Sequence, residues 1–554
     1  MNELFNLIDS AWIQTRNLAG EYETVSIREL FSRASELSSL AGETPAQNFA
    51  ILRILEALLV TVVYRYDLQG NYKPVKDEKT IFNRWSTIWK AGKIPTEMMA
   101  PYFQKHESEF NLLGEKRFMQ SKHAKQASFY SCKKLIGDLA VSGHKDRLFK
   151  MRSWEGTPSI SLAEAASWIP NLLLFDDTAV KKTIPYKAYS KVTKVDHPTG
   201  VGWGGKISPV YVAGSTLFET LMLNCVVLQD GITVWDSMQP YWEIQEQQEE
   251  TESARLERRL IPAPTNLAAL LTLPSRRIWL DEKEGRIEGF RTFAGDVFDS
   301  ENAFCEQFTL WKPVSKSKDT PPSFRPASFT LESDRWHDLK TSFISNCKGE
   351  PAHLPGVIQW INRLQDEGLL PKGFKIQILA PFVRYGTSYS SLTDISSCSL
   401  TIYSKLLESQ NAEWRENILA EIEKNAQLAE AAGRFAMSCS YAAGADPAQA
   451  NNEKKRLAAQ LNRLLNQPFL DWLSQVQPGD EDSLFDESLE EWEKTARAIG
   501  TELIRQEMQK YPPSSYFGRL VKNEKSKSSF QSVVHAEKRY FAEMAKIYPK
   551  PETE

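Results

Sequence analysis

At 554 residues the chain is too long for one ordinary domain, and about two to four are expected. Its 42% hydrophobic and 25% charged residues are those of a soluble globular protein, and a net charge of −4 does not mark the whole chain as a nucleic-acid binder. The charge is uneven, however: Lys105 to Lys206 carries 17 Lys/Arg against 10 Asp/Glu, a local excess that suits a nucleic-acid partner held on one face.

Phe5-Asn-Leu-Ile-Asp-Ser-Ala-Trp-Ile opens the chain as a short apolar stretch, with a polar turn at Gly20. Val25-Ser-Ile-Arg-Glu-Leu-Phe starts a helix, and Pro45 to Tyr66 gives a longer, mostly buried one. The apolar run Ile51 to Val63 is interrupted by Arg53 and Glu56 and is too short to span a bilayer, so it reads as a core helix and no membrane partner is expected. Residues 79–113 carry apolar residues at helical spacing, with breaks expected at Pro95 and Pro101. Arg117-Phe-Met-Gln-Ser-Lys122 is a basic segment in which Phe118 and Met119 read as exposed. The loop Arg147 to Pro158 mixes Phe149 and Trp154 with Lys150 and Arg152. Aromatics beside cations compose a base-stacking platform, and equally a loop anchored to the core by its rings.

Ser161 to Leu174 reads as an Ala-rich helix. Then comes the most distinctive stretch: Gly200, Gly202, Gly204 and Gly205 around Trp203, with Lys206 directly after. Four glycines in six residues remove most Cβ atoms, so the backbone can reach φ > 0 and lie close to a partner. A tight turn with Trp203 plugged into the core fits the same residues. No helix opens on the last glycine, and Ile207 follows Lys206, so neither a Rossmann fingerprint nor a P-loop is present. Val210-Tyr-Val212 reads as a strand, and Ser215 to Leu228 as an apolar helix beneath the loop.

Glu243 to Arg259 is rich in Glu, Gln and Arg and reads as a solvated linker. Leu270 to Leu280 and Ile287-Glu-Gly-Phe form a β-hairpin with Lys283 and Arg286 at its tip. Helices are expected at Trp336 to Cys347 and Gly356 to Glu367, and a strand at Lys375 to Ala380. After Leu400 the texture changes: 411–443, 447–476, 484–511 and 528–547 are helical with short connections, an antiparallel four-helix bundle. One connection is acidic around Asp480 to Glu491, another basic at Arg519, Lys522, Lys525 and Lys527. The expected fold is α+β, a large mixed α/β domain over 1–400 followed by a helical bundle over 401–554.

Catalytic chemistry is not visible. Seven histidines are scattered, and six cysteines lie far apart without a CxxC pair, so metal-ligand spacing is absent and a reduced, cytoplasmic protein without cofactor is expected. No secretory leader pattern is seen. No G-x-S-x-G elbow occurs, and adjacent Asp176 and Asp177 point apart on regular structure.

Taken together, Phe5-Asn-Leu-Ile-Asp-x-x-Trp-Ile, Phe118-Met-Gln-Ser-Lys122, Gly200-Val-Gly-Trp-Gly204, Gly214 to Asn224, Pro274-Ser-Arg-Arg277, Val357 to Pro371 and Arg384-Tyr-Gly-Thr387 resemble, as an ordered series, the large subunit of the type I-E CRISPR surveillance complex Cascade, the CasA family. The resemblance implies a non-catalytic DNA-recognition subunit. In it the glycine loop (Gly200, Gly202, Trp203, Gly204, Gly205, Lys206) approaches the minor groove of target duplex at the PAM. Lys283 and Arg286 add groove or phosphate contacts, and Gln359 or Trp360 is the wedge that starts strand separation, with a place for Trp360 in the core of its helix an equal reading. The loop of Phe149, Lys150 and Arg152 meets the guide RNA 5′ handle and neighbouring subunits. Read from its own chemistry, the basic cluster Arg519, Lys522, Lys525 and Lys527 can neutralise phosphates without reading bases and is expected to follow the displaced strand. The implied partners are the other Cascade subunits, guide RNA, target DNA and a helicase-nuclease. Two rival readings stand beside it: a stand-alone DNA-processing enzyme, and a scaffold protein without direct DNA readout.

Overall fold

The computed structural model describes residues 5–136, 140–142, 145–146, 159–178, 200–244, 264–295, 299–314, 323–327, 353–371, 373–478, 482–522 and 528–549. The chain separates into two compact units. The first comprises Met1–Thr330, Pro351–Leu370 and Ile376–Ser399; Leu400–Glu554 and Pro371–Lys375 belong to the second.

The first unit is built around the helix Pro45–Arg65. Thr44 caps it by accepting the Gln47 N–H, Pro45 supplies a preset φ in its first turn, and 18 of its 21 residues are buried. A helix apolar on every side must be surrounded, and the helices Leu162–Phe175, Leu217–Asn224 and Leu267–Leu271 pack on it. It is long and apolar enough to cross a membrane by length and composition, yet it forms the core of this unit.

The unit also holds small antiparallel sheets. The expected hairpin is present as Arg276–Lys283 paired with Arg286–Ala294, and the second strand also pairs with Ser128–Ser131. Glu284 and Gly285 connect its strands with φ of +53° and +77°, the left-handed pair a two-residue turn requires. Tyr211–Ala213 pairs with Lys375–Tyr385, Gln377 lying opposite Ala213. The strand Leu392–Tyr403 is absent from the sequence reading.

Several local expectations need correction. Pro95 precedes the helix Thr96–His106, but Pro101 lies inside it; burial of Met98, Met99, Tyr102 and Phe103 carries the helix through the missing N–H. Phe118 and Met119 are buried, Phe118 stacking on Phe110 at 5.2 Å. The helix expected to reach Leu228 stops at Asn224, whose side chain accepts the Val212 N–H at 3.0 Å. Glu243, placed in a solvated linker, is a buried partner of Arg65 (2.8 Å) and of the Tyr102 hydroxyl (2.7 Å). The helix expected at Trp336 to Cys347 lies outside the described residues.

In the second unit the helices Ala412–Ala443, Pro447–Leu473, Asp482–Met508 and Val533–Ile547 form the expected bundle, the first packing against the other three. Gly444 ends the first at φ +99°, and Asp446 with Gln449 forms a capping box on the second. The apolar residues Leu457, Leu461, Leu465 and Phe469 repeat every four positions and are all buried. The last helix starts at Val533 rather than 528, because Ser528–Gln531 pairs with Arg519–Lys522 as a hairpin.

Within this bundle Glu421 is 2% exposed, with Lys424 Nζ at 2.7 Å from one oxygen and no partner on the other. Burial pushes its pKa up from the usual carboxylate range to about 7, against the pull of Lys424. A raised folded pKa means that the folded chain holds a proton which the unfolded chain has released. The group therefore costs nothing below the unfolded pKa of about 4.3, and stability falls by up to about 1.4 kcal/mol per pH unit until the folded pKa is passed. Glu421→Gln is expected to flatten the decline between the unfolded pKa and about 7, measured as the pH dependence of urea midpoints beside wild type. Parallel profiles for the two proteins would refute this.

Candidate nucleic-acid interface

The glycine loop is seated from below by two buried polar clamps. In the first, the Trp203 indole donates to Glu306 Oε2 at 2.6 Å, and Glu306 is held by both terminal nitrogens of Arg53 at 3.1 and 3.0 Å. Arg53 and Glu306 are 2% and 1% exposed, so a carboxylate–guanidinium pair at the heart of the unit carries the loop's aromatic residue. The Trp203 N–H also donates to Ser275 Oγ at 2.9 Å.

Arg276 makes the second clamp. Its Nε donates to Asp176 Oδ2 at 2.7 Å, and Nη2 donates to the carbonyls of Asp177 (2.7 Å) and Gly200 (3.0 Å). Lys134 lies 3.7 Å from Asp176 and bonds Asp177, and the two attractions raise its pKa despite burial. Asp176 and Asp177 therefore converge on shared cations instead of pointing apart, because they follow the end of the helix Leu162–Phe175 and lie on no regular element.

The glycines answer to this seat. A Cβ on Gly202 would stand 2.3 Å from the Leu174 carbonyl oxygen, and one on Gly204 2.5 Å from the Phe175 ring. One on Gly205 would meet the Tyr385 hydroxyl at 2.6 Å, a hydroxyl that donates to the Phe175 carbonyl at 2.7 Å. The partner these three glycines approach is thus the protein itself, at the C-terminal end of the helix Leu162–Phe175, whereas the sequence placed Ser215 to Leu228 beneath the loop. Trp203 is buried as a core plug. Gly200 (φ +118°), Gly205 and Lys206 are only partly buried and form the loop's accessible flank; burial lowers the Lys206 pKa, opposed by Asp299.

Three stretches that carry the resemblance, 200–205, 274–277 and 384–387, thus meet at one place. Phe118–Lys122 serves the neighbouring hairpin: the Ser121 N–H donates to the Ile278 carbonyl and the Leu280 N–H to Gln120 Oε1. Arg117 and Lys125 lie over the Trp279 ring at 3.7 and 4.2 Å.

At the hairpin tip the Lys283 side chain is 64% exposed, 3.7 Å from Glu288, while Arg286 is tied to Ser159 at 2.9 and 2.8 Å. Seven residue steps separate Lys283 from Arg276 under the glycine loop, a span of about 24 Å along the strand. One duplex contact at each end would therefore fall on different parts of the helix, not on one base step.

Trp360 is corrected as a wedge. Its ring is fully buried, stacked on Phe82 at 5.8 Å, and it continues the apolar stripe Val357, Ile361 and Leu364 of the helix Gly356–Asp366. Gln359 is half-buried and its Nε2 donates to the Leu354 carbonyl at 2.9 Å. Phe149, Lys150 and Arg152 lie outside the described residues, as do Lys525 and Lys527. Arg519 is exposed at the start of the bundle hairpin, and Lys522 is its fourth residue. Sequence reasoning missed Ser275, Arg276, Glu306 and Tyr385 as supports of the loop; only the presence of 274–277 and 384–387 in the resemblance pointed to them.

An α+β unit followed by a helical bundle is the fold shared with Cse1 structures, and the chain is the large subunit of the type I-E Cascade. The chain belongs to the CRISPR-associated protein Cse1 family, whose pattern it matches over residues 6–503. It is similar to the crystal structure of Thermobifida fusca Cse1 (TM-score 0.81, 24% identity, covering 99% of this chain and 98% of that one). Cse1 from Acidimicrobium ferrooxidans (0.76, 20%, 99% of each) and CasA from Thermus thermophilus (0.69, 18%, 99% of each) share the fold. A chain of a CRISPR RNA-guided surveillance complex matches with a TM-score of 0.64 at 15% identity, covering 98% of this chain and 99% of that one. No curated protein sequence matches.

The seat makes the glycine loop a test of packing. Gly202→Ala is expected to lower stability by about 1–3 kcal/mol, because the Leu174 carbonyl cannot yield without moving its helix end. Thermal midpoints check it, and an unchanged midpoint would refute the packing of Gly202 against the helix end.

Proposed function

We propose that this chain is the non-catalytic DNA-recognition subunit of an RNA-guided surveillance complex: it reads the PAM in target duplex, starts strand separation for guide invasion and helps recruit a helicase-nuclease. Base pairing by the guide reads the remaining sequence, so the protein needs only short-motif and shape contacts. The observation that carries the reading is the convergence of three family stretches on one buried clamp that leaves the Gly200 and Gly205–Lys206 flank accessible. The accessible flank offers the Gly200 backbone and one cation, Lys206, to a minor groove about 6 Å wide, and a loop held from beneath presents them without further ordering.

The remaining elements take supporting roles. Lys283 is a phosphate contact about 24 Å along the hairpin from the loop's clamp. Gln359 is the polar member of the wedge. The loop of Phe149, Lys150 and Arg152 attaches the subunit to the guide RNA handle and neighbouring subunits, and Arg519, Lys522, Lys525 and Lys527 follow the displaced strand. A cytoplasmic location follows from these partners.

The assembled complex, with guide RNA, is tested by gel shift on duplexes that differ only in the flanking motif. Selective retention of one motif supports the reading; equal retention of all refutes it. On the retained duplex Lys283→Ala is expected to reduce the slope of log K against log salt by about 0.9, the value for one lost phosphate contact. An unchanged slope would remove Lys283 from the interface.

A further inference from the structure

Beside Gln359 a second feature stands out that the site so far leaves unused. The turn Gln229–Ile232 is pinned at two successive residues. Asp230 and Gly231 have φ of +51° and +69°, and the Ile232 N–H closes the turn on the Gln229 carbonyl at 3.0 Å. The Asp230 carboxylate lies 3.6 Å from His353 Nε2, and the His353 ring is itself seated on Phe304 at 4.1 Å with Trp311 and Phe324 around it. Gly231 rests on the helix that carries Gln359: a Cβ there would meet the Gln359 carbonyl oxygen at 3.2 Å and Arg363 Cγ at 3.0 Å. Arg363 is in turn fixed by Glu78 at 3.1 Å and Glu367 at 3.2 Å.

The residue this seat projects is Ile232, 69% exposed. An isoleucine side chain makes no hydrogen bond to phosphate or base edge. What a stiff, β-branched side chain on a pinned turn can do is enter a base step, as apolar wedges in the minor groove do. Its neighbours are less free to insert, since Trp360 is in the core and the Gln359 amide is engaged with Leu354.

We infer that Ile232 is the apolar member of the strand-separating wedge. It enters the base step beside the PAM, and Gln359 leaves the Leu354 carbonyl to meet the base edge so exposed. This rests on the reading above that Gln359 is the polar member of the wedge.

The experiment uses the chain assembled with its guide RNA and the other Cascade subunits, with permanganate footprinting of strand opening over time. Two targets are compared: a closed duplex, and the same duplex with the pairs next to the flanking motif mismatched. Ile232→Ser is expected to slow opening of the closed duplex about tenfold, the effect of losing one inserted side chain, and to leave the mismatched target near wild type. Ile232→Leu, which keeps an apolar wedge, is expected to stay close to wild type on both. Wild-type opening by the serine variant, or equal slowing on both targets, overturns the proposal. Poorer co-purification of the serine variant with the complex also overturns it, by making Ile232 a contact to protein. Failure of the wild-type complex to prefer any motif would instead sink the DNA reading itself, and shows without any variant.

Discussion

The Glu306 carboxylate is the point on which the first unit depends. It lies 1% exposed, takes both terminal nitrogens of Arg53, and accepts the Trp203 indole and the Phe308 N–H. Burying two charges costs several kcal/mol per ion, and only good geometry with every lone pair engaged offsets that. Glu306 meets the condition, since fork, indole and amide together occupy both of its oxygens, while Arg53 adds a bond to the Leu270 carbonyl and leaves its Nε without a hydrogen-bond partner. The result is a link between residue 53 on the central helix, residue 203 in the loop and residue 306 on a third segment. Taking away either charge would strand the other in an apolar core, so the three segments stand or fall as one.

This arrangement changes what the glycines mean. A glycine-rich loop is often pictured as supple, but here Gly202 and Gly204 are filled spaces, with backbone and ring where side chains would be. Arg276 reinforces the same point by gathering the carbonyls of Asp177 and Gly200 and the Asp176 carboxylate, while Lys134 joins Asp176 to Asp177. The loop is stiff because its missing Cβ atoms let it sink onto the end of a helix. Stiffness and accessibility are compatible, since the seated side and the accessible Gly200 and Lys206 flank are different faces of one short turn.

What could be seen in the sequence was what neighbours in sequence decide. The hairpin with Lys283 and Arg286 at its tip rests on a two-residue left-handed turn, and the bundle helices on a four-residue apolar repeat with caps at Gly444 and Asp446; each is a local rule. The burial of Trp360 was legible by the same logic, for Val357, Trp360, Ile361 and Leu364 share a face and Gln359 does not. What escaped depended on distant partners. Arg53 and Glu306 are 253 residues apart, and Trp203 is 103 from Glu306. No spacing rule announces such pairs, so the loop's two faces could not be told apart, and Phe118 passed for an exposed residue of a basic segment. Asp176 and Asp177 misled for a related reason: rules for helices and strands were applied to residues that follow a helix end.

Opening a duplex for a guide strand exchanges one set of base pairs for another of similar stability, with base steps worth about 1.4 kcal/mol each. A contribution of a kcal/mol or two from side chains is then enough to decide whether opening begins. Such a small bias is delivered only if the side chains do not recoil, because any give in the protein returns the same energy to the closed duplex. Under the proposed function, that requirement accounts for the amount of buried polar structure around few accessible residues. Arg53 with Glu306 and Arg276 with Asp176 hold the loop; His353 in its aromatic cage and Arg363 between Glu78 and Glu367 hold the turn before Ile232. The strength of the protein lies in these seats, and the surfaces they present can therefore be small.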